Sequence, residues 1–187
     1  GGWQDQYATV FGGFNFMEFK NHENIVNPLR ISDDILNELE DSLVLCYTGL
    51  NHNSGDIHDK QKENMNKEEQ KKFAQLSKDI AYEMKSKLLK GQLDNFGELL
   101  HKAWETKKHF SDKITTQFLD DIYTYALENG ALGGKLLGAG GGGYFLFYVP
   151  TFNKIKLMNA IKNKGLGIET FTFDNIGLRS WITKEKI

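Results

Sequence analysis

A glycine-rich segment, residues 138–143, is the first part of this sequence that could do chemistry: five of its six residues are glycine. Glycine has no Cβ and tolerates positive φ, so the backbone there can approach a ligand closely. Successive N–H groups in such a turn can bind an anion, typically phosphate. The spacing also fits the dinucleotide pattern G-x-G-x-x-G, but that pattern requires a helix to follow. A Walker A loop is excluded because Tyr144 and Phe145 replace its lysine and hydroxyl residue.

The residues after the glycines predict a strand. Tyr144 to Val149 form a short, aromatic and apolar run that Pro150 bounds, which is typical of a buried strand. Two interpretations of the glycines therefore stay open: a backbone cradle for a ligand, or a tight connection between two strands. Lys135, just before them, either faces a phosphate or is solvated at the end of a strand.

The elements that position this segment alternate between strands and helices. A helix is predicted from Gln4 to Phe11, where Gly12 and Gly13 end it, and another from an N-cap at Ser32 to Glu40. Alternating or wholly apolar runs predict strands at 14–19, 25–31, 43–48, 168–173 and 178–182.

The middle of the chain predicts three helices from apolar residues spaced three and four apart. The first runs to Gly91, and the second spans Leu93 to His109. The third is capped by Ser111 or Asp112 and ends at 129–130. A further helix covers 153–163. The predicted apolar face of the third helix consists of Ile114, Phe118, Ile122 and Tyr125. Together these elements predict an α+β fold with helices packed on one face of a mainly antiparallel sheet.

Composition narrows the classes of function. With 187 residues, 40% hydrophobic and 26% charged, the chain is an ordinary globular length and mixture. A net charge of −2 gives no reason to expect nucleic acid or an anionic membrane as partner. The single cysteine, Cys46, lies in an apolar run and is expected in the core of a protein from a reducing compartment. The expected location is the cytoplasm.

Two stretches together resemble a known family. Residues 2–8, Gly-Trp-Gln-Asp-Gln-Tyr-Ala, precede Phe-Gly-Gly-Phe-Asn-Phe at 11–16, and residues 135–143 read K-x-x-G-A-G-G-G-G. They resemble segments of the superfamily of galactokinase, homoserine kinase, mevalonate kinase and phosphomevalonate kinase (GHMP kinases). The nearest branch contains D-glycero-D-manno-heptose 7-phosphate kinase, which also carries Tyr-Thr-Gly before a polar loop, as at 47–49. Fucokinase-like kinases share several of these elements.

The resemblance implies a ferredoxin-like C-terminal kinase domain covering residues 1–187, with the nucleotide-binding N-terminal half absent from this chain. It implies an ATP-dependent kinase that phosphorylates the anomeric hydroxyl of heptose 7-phosphate, using ATP and Mg²⁺ bound mainly by that missing half. A fucokinase-like sugar 1-kinase and a non-catalytic binding module on the same fold are the alternatives. The partners implied are a sugar phosphate, ATP and the N-terminal half.

The resemblance also assigns roles. Asp5 is the expected catalytic carboxylate, because phosphoryl transfer needs a group that orients the attacking hydroxyl. Arg30 is a candidate clamp for the substrate's phosphate, since arginine binds phosphate in a bidentate manner. No metal site is expected in this chain: His52, His58 and their neighbouring aspartates match no standard zinc spacing. The remaining substrate- and phosphate-binding candidates are Gln4, Gln6, Thr48, Gly49, His52, Ser54, Gly138, Ala139, Gly140, Gly141 and Gly142.

Overall fold

The computed structural model describes residues 3–20, 23–50 and 68–183. They form two compact units, one of Gly1–Arg30 with Thr172–Ile187 and one of Ile31–Phe171. The helices and strands in chain order are α1 (Gln4–Phe11), β1 (Asn15–Phe19), β2 (Asn24–Pro28), α2 (Asp33–Asp41), β3 (Leu43–Tyr47), α3 (Glu68–Leu89), α4 (Leu93–Lys108), α5 (Gln117–Glu128), β4 (Gly133–Leu136), β5 (Tyr144–Tyr148), α6 (Thr151–Asn163) and β6 (Gly167–Glu169).

The smaller unit contains α1 and an antiparallel hairpin of β1 and β2. Aromatic rings join the helix to the hairpin, with Tyr7 at 5.5 Å and Trp3 at 6.4 Å from Phe19 between ring centroids. A later segment returns to the end of α1: the Gly13 N–H donates to the Asp174 carbonyl at 2.7 Å, and the Leu178 N–H donates to the Val10 carbonyl at 3.0 Å.

Two backbones cross at this return. A Cβ on Gly12 would lie 2.2 Å from the nitrogen of Gly177, and a Cβ on Gly177 would lie 2.4 Å from the carbonyl oxygen of Val10. Gly12 also has φ 61° and ψ 171°, a conformation that is essentially restricted to glycine. The glycine after Phe11 in the Phe-Gly-Gly-Phe stretch therefore has a packing function.

The larger unit contains a four-stranded sheet in the order β4-β5-β3-β6, in which every described pairing is antiparallel. Its connectivity is β-α-β-β-α-β, which is the ferredoxin-like arrangement, with α3, α4 and α5 in the first crossover and α6 in the second. The predicted α+β class with an antiparallel sheet is confirmed.

The core lies between one face of this sheet and the helices. Val44 and Cys46 of β3 are paired with Phe147 and Phe145 of β5, so the four side chains share a face. They pack against side chains of α4, α5 and α6, among which Trp104 is completely buried. Burial of this apolar surface is the main stabilising contribution to the unit. The predicted core position of Cys46 is confirmed, and burial raises the pKa of its thiol to about 11.

The third central helix differs from its prediction. Helix α5 begins at Gln117, and its N-cap is Thr116, whose hydroxyl accepts a hydrogen bond from the Leu119 N–H at 3.4 Å. The caps predicted at Ser111 and Asp112 are wrong. The predicted apolar face is confirmed at Ile114 and Ile122, which are buried, and is wrong at Phe118, which is exposed. The other buried residues of the helix are Leu119, Tyr123 and Ala126. Neighbouring residues of α5, such as 118 and 119, are both apolar. Either one could therefore face the core, and apolar spacing alone does not decide which.

Two smaller predictions also differ from the structure. Ser32 occupies the N-cap position of α2, but its side chain makes no capping hydrogen bond. Residues 178–182 form no strand, and Leu178, Trp181 and Ile182 are exposed. A strand requires a neighbouring backbone for its ladder, and within the part of the chain that the structure describes these residues have only the single hydrogen bond to Val10.

Candidate functional site

The glycine-rich segment is a loop between two paired strands. Leu136 at the end of β4 is paired with Phe145 near the start of β5, and the Leu137 N–H donates to the Tyr144 carbonyl at 2.8 Å. The loop, residues 137–143, therefore projects from one end of the sheet. Gly138 and Gly143 have φ values of 70° and 93°, and a Cβ on either would meet nothing within 4 Å. Space is open beside both glycines.

Several backbone donors of the loop have no acceptor among the residues that the structure describes. The Gly141 N–H donates to the Ile114 carbonyl at 2.8 Å, and the Gly143 N–H donates to the Leu50 carbonyl at 2.9 Å. In residues 3–20, 23–50 and 68–183, the N–H groups of Gly138, Ala139, Gly140 and Gly142 have no acceptor. Unsatisfied N–H groups in consecutive positive-φ turns are suited to binding an anion. Of the predicted phosphate-binding glycines, Gly141 has its N–H already engaged.

The end of the loop is fixed to β3 through Thr48. The Thr48 N–H and hydroxyl both donate to the Gly143 carbonyl, at 2.9 and 2.8 Å, and the hydroxyl accepts from the Leu50 N–H at 3.3 Å. Thr48 is buried. Its hydroxyl, predicted to bind substrate, is therefore committed to holding the loop. Gly49 is exposed with open space beside it, whereas His52 and Ser54 lie outside the described residues.

A cleft of about 510 Å³ adjoins Thr48 and Gly49. Its walls are residues 47–50, residues 164–167 and the α5 side chains Phe118 and Ile122. The cation of Lys164 stands over the ring of Tyr125 at 4.1 Å from the centroid. Clefts of several hundred Å³ with a few polar groups are typical of small-molecule sites. The cleft lies at the same end of the sheet as the glycine loop, because β3 ends beside the start of β5.

Two lysines stand at the start of the loop. Lys107, in the last turn of α4, donates from its Nζ to the carbonyls of Leu136 at 3.0 Å and Gly138 at 2.7 Å. Burial, together with the nearby positive charge of Lys135, lowers the pKa of Lys107 to about 7. Lys135 is half-buried on β4, and burial lowers its pKa too, which is evidence against the solvated interpretation of this residue.

The predicted catalytic residues lie in the smaller unit. Gln4, Asp5 and Gln6 occupy the first turn of α1, and all three are exposed. The main-chain carbonyl of Asp5 accepts a hydrogen bond from the Thr9 hydroxyl at 2.8 Å. Its carboxylate makes no hydrogen bond or ion pair with the residues that the structure describes. Arg30 is exposed beyond the end of β2. The structure thus gathers Thr48, Gly49 and the glycine loop in one unit, with Asp5 and Arg30 in the other.

Comparison with known proteins identifies the larger unit. Residues 84–165 match the family model described as GHMP kinases C terminal. This part of the chain is therefore similar to the C-terminal domain of GHMP kinases. The matched residues include the glycine loop and both lysines.

Proteins similar to this chain over most of its length include sugar kinases. The chain is 38% identical over 182 residues to the D-glycero-alpha-D-manno-heptose 7-phosphate kinase of Campylobacter jejuni, covering 97% of this chain and 54% of the relative. The crystal structure of a D-glycero-D-manno-heptose 1-phosphate kinase from Bacteroides thetaiotaomicron has a TM-score of 0.68 at 31% identity, covering 99% of this chain and 50% of that one. The L-fucokinase/L-fucose-1-P guanylyltransferase of Bacteroides fragilis is 30% identical over 149 residues, covering 77% of this chain and 16% of the relative.

The chain spans about half the length of the two heptose kinases. No helix in the described ranges is long and apolar enough to cross a membrane. Those same ranges hold no group of three or more His, Cys, Asp or Glu side chains that could bind a metal ion. His52, His58 and the aspartates near them lie outside these ranges.

Sequence reasoning missed three contributors to the loop. Lys107 holds its start, and the carbonyls of Ile114 and Leu50 accept from its glycines. The two carbonyls are main-chain groups, so residue type carries no signal for them. Lys107 is followed by Lys108 at the end of a helix, where lysines ordinarily interact with the helix dipole and solvent.

Proposed function

We propose that this chain is the C-terminal part of an ATP-dependent kinase that phosphorylates the anomeric hydroxyl of D-glycero-D-manno-heptose 7-phosphate, giving the 1,7-bisphosphate. The observation that carries the proposal is the 38% identity to a heptose 7-phosphate kinase along 97% of this chain. The glycine loop supports it, because four of its N–H groups have no acceptor in the described part of the chain and would suit a phosphate.

Asp5 is the proposed catalytic residue. In phosphoryl transfer a carboxylate orients the attacking hydroxyl and can accept its proton. The Asp5 carboxylate is exposed on the first turn of α1 and unengaged by the residues that the structure describes, so it is available to a substrate. Gln4 and Gln6 flank it and are proposed to hydrogen-bond the sugar.

The glycine loop is proposed to bind the phosphate that is transferred. The N–H groups of Gly138, Ala139, Gly140 and Gly142 would donate to its oxygens, where negative charge is concentrated during transfer. Gly49 and the cleft beside it would accept the sugar, and Thr48 would support the loop. Arg30 is proposed to bind the 7-phosphate of the substrate.

ATP and Mg²⁺ are proposed as cofactors held mainly by the other half of the protein. The metal would neutralise the charge on the phosphates when bound. The described residues fit the phosphate through their N–H donors but offer no acidic cluster for the metal. This division agrees with a chain that spans about half of each heptose kinase.

The surface of the smaller unit supports a partnership with that other half. Trp3, Phe11, Leu178 and Trp181 are exposed, Trp181 by 79%. Large exposed aromatic side chains in one unit are typical of an interaction surface. We propose that the remainder of the kinase covers them, and that the chain by itself does not turn over substrate.

A fucokinase-like activity is the second candidate, favoured by the 30% identity to a fucokinase over 77% of this chain. The deciding measurement is ADP release by the complete kinase against heptose 7-phosphate, unphosphorylated heptose and fucose. Turnover confined to heptose 7-phosphate is the expected result. Preference for fucose would replace the proposed substrate, and no turnover on any sugar would favour the non-catalytic alternative.

Arg30→Ala sharpens this measurement, with Arg179→Ala as the matched control because Arg179 is the other arginine of the chain and is also exposed. Removal of the clamp is expected to raise KM for heptose 7-phosphate about tenfold or more, the effect of one charge-assisted contact. KM for unphosphorylated heptose should not change. An equal effect of both arginine variants would rule out the clamp.

A further inference from the structure

Lys107 is joined to the glycine loop although it is 31 residues away in sequence from Gly138. Its Nζ lies 2.7 Å from the Gly138 carbonyl oxygen and 3.0 Å from the Leu136 carbonyl oxygen. One of these carbonyls is the last of β4, and the other belongs to the first glycine with open space beside it. A single ammonium group therefore bridges the strand and the loop.

The ammonium of Lys107 has no counter-charge in the described ranges. Lys135 on β4 is the charged group that acts on it. On its own helix, Glu105 is paired with the neighbouring Lys108 at 2.7 Å, and Asp120 of α5 also faces Lys108 at 3.8 Å. From α3, Gln70 and Phe73 contact His109 at the same end of α4.

Burying a lysine beside another lysine costs stability. Such a cost at the start of a loop with open donors is typical of a residue retained for function rather than for stability. The two bonds act on carbonyl oxygens, so they restrict the orientation of the peptide groups that follow, including the free N–H groups of the loop.

We propose that Lys107 is a positioning residue, whose ammonium group holds the first half of the glycine loop in its open conformation for phosphate. The inference rests on the proposed function for its catalytic consequence, but the effect on the loop does not require turnover. Because a charged donor makes the stronger hydrogen bond, loss of the Lys107 proton is expected to loosen the loop. With a pKa of about 7, this loss falls in the neutral range.

The first test measures hydrogen exchange of the loop amides in the complete kinase, without substrate, at pH 6. Lys107→Met is expected to accelerate exchange at Leu137 and Gly141 by about tenfold, because it removes both charge-assisted hydrogen bonds to the loop's carbonyls. Lys107→Arg, which can donate to both carbonyls, should remain within about twofold of wild type. Lys108→Met is the matched control, since Lys108 pairs with Glu105 and does not contact the loop.

The second test follows the pH dependence of ATP turnover. In the wild type, KM for ATP is expected to rise about tenfold from pH 6 to pH 8.5, whereas Lys107→Arg keeps its charge and should remove most of that rise. Lys108→Met should retain the wild-type profile. A purely structural role of Lys107 would lower stability without changing the profile.

Each outcome is decisive. Unchanged exchange at the loop in Lys107→Met overturns the proposal, and so does a Lys107→Arg profile identical to wild type. If Lys107→Met does not fold, the arginine variant alone supplies the answer through its pH profile. Faster exchange in Lys107→Met without turnover in any variant supports the positioning role and contradicts the proposed kinase activity instead.

Discussion

Two glycine sites in this chain have opposite surroundings. At Gly12 and Gly177 another backbone lies so close that an added Cβ would be within 2.4 Å of it. At Gly138 and Gly143 the missing Cβ would face open space, although φ is positive at both. The first pair is explained by packing within the protein. The second pair leaves a surface that the residues in the described ranges do not fill, which is the arrangement expected where a ligand approaches the backbone.

The glycine loop itself contains both kinds of glycine. A Cβ on Gly140 would lie 2.8 Å from the Cα of Ile114, so this glycine is required by packing, as Gly12 is. Gly138, two residues earlier, is not. The motif therefore contains one glycine that packing requires, Gly140, and one beside which space is open, Gly138. Alanine substitutions can distinguish these two roles.

Gly12→Ala is expected to have the largest effect on stability, a loss of roughly 4 kcal/mol, because a clash with backbone adds to a conformation that alanine avoids. Gly13→Ala is the matched control: its φ is 65°, but its nearest neighbour would be 3.7 Å away. The control should lose only about 1 kcal/mol. Denaturant unfolding of the two variants checks this, and equal losses would show that the crossing of the backbones is not tight.

Gly140→Ala and Gly138→Ala divide the loop in the same way. Gly140→Ala should cost roughly 3 kcal/mol through its clash with Ile114 and its φ of 126°. Gly138→Ala should cost about 1 kcal/mol in stability yet raise KM for ATP or sugar about tenfold or more, by placing a methyl group where the ligand lies. Unfolding and turnover measured on both variants check the pair. Normal kinetics of the Gly138→Ala variant would show that the ligand does not lie beside this glycine.

A smaller effect on the free energy of unfolding is expected from a change in pH. The pKa of Lys107 in the folded protein is about 7, below the ordinary value of 10.5. Between these values the unfolded chain binds more protons than the folded one, so stability rises with pH in this window and is lost as pH falls through 7. From pH 6 to pH 8 the gain from this group is about 1 kcal/mol. Chemical unfolding of wild type and Lys107→Met at both pH values should show the gain only in the wild type.

The sequence was sufficient to predict most elements of the fold. The apolar run at 144–149 and the alternation at 14–19 have one consistent interpretation each, and β5 and β1 confirm them. The buried face of α5 is only partly predictable from apolar spacing: Ile122 is buried as predicted, but residues 118 and 119, and 125 and 126, are apolar pairs of which either member could face the core. The strand expected at 178–182 is absent because strand formation depends on a neighbour as well as on pattern.

The candidate site was predictable only where residue type carries the chemistry. The glycines are conspicuous because glycine is rare in such density. The interpretation as a tight connection between two strands is confirmed, and the interpretation as a backbone cradle for a ligand stays a prediction. Thr48 was found for its hydroxyl, but that hydroxyl supports the loop. Lys107 was missed because its role depends on the position of α4 relative to β4, which no local pattern encodes.

The most direct test of the central claim compares wild type with Asp5→Asn in the complete kinase, measuring ADP release with heptose 7-phosphate and confirming folding by thermal unfolding. The substitution keeps the size of the side chain but removes the carboxylate that orients the hydroxyl. We expect kcat to fall by about 10²–10⁴-fold, the usual contribution of general acid–base catalysis, with an unchanged unfolding temperature. Turnover that persists at the wild-type rate would contradict the assignment of Asp5 as the catalytic residue.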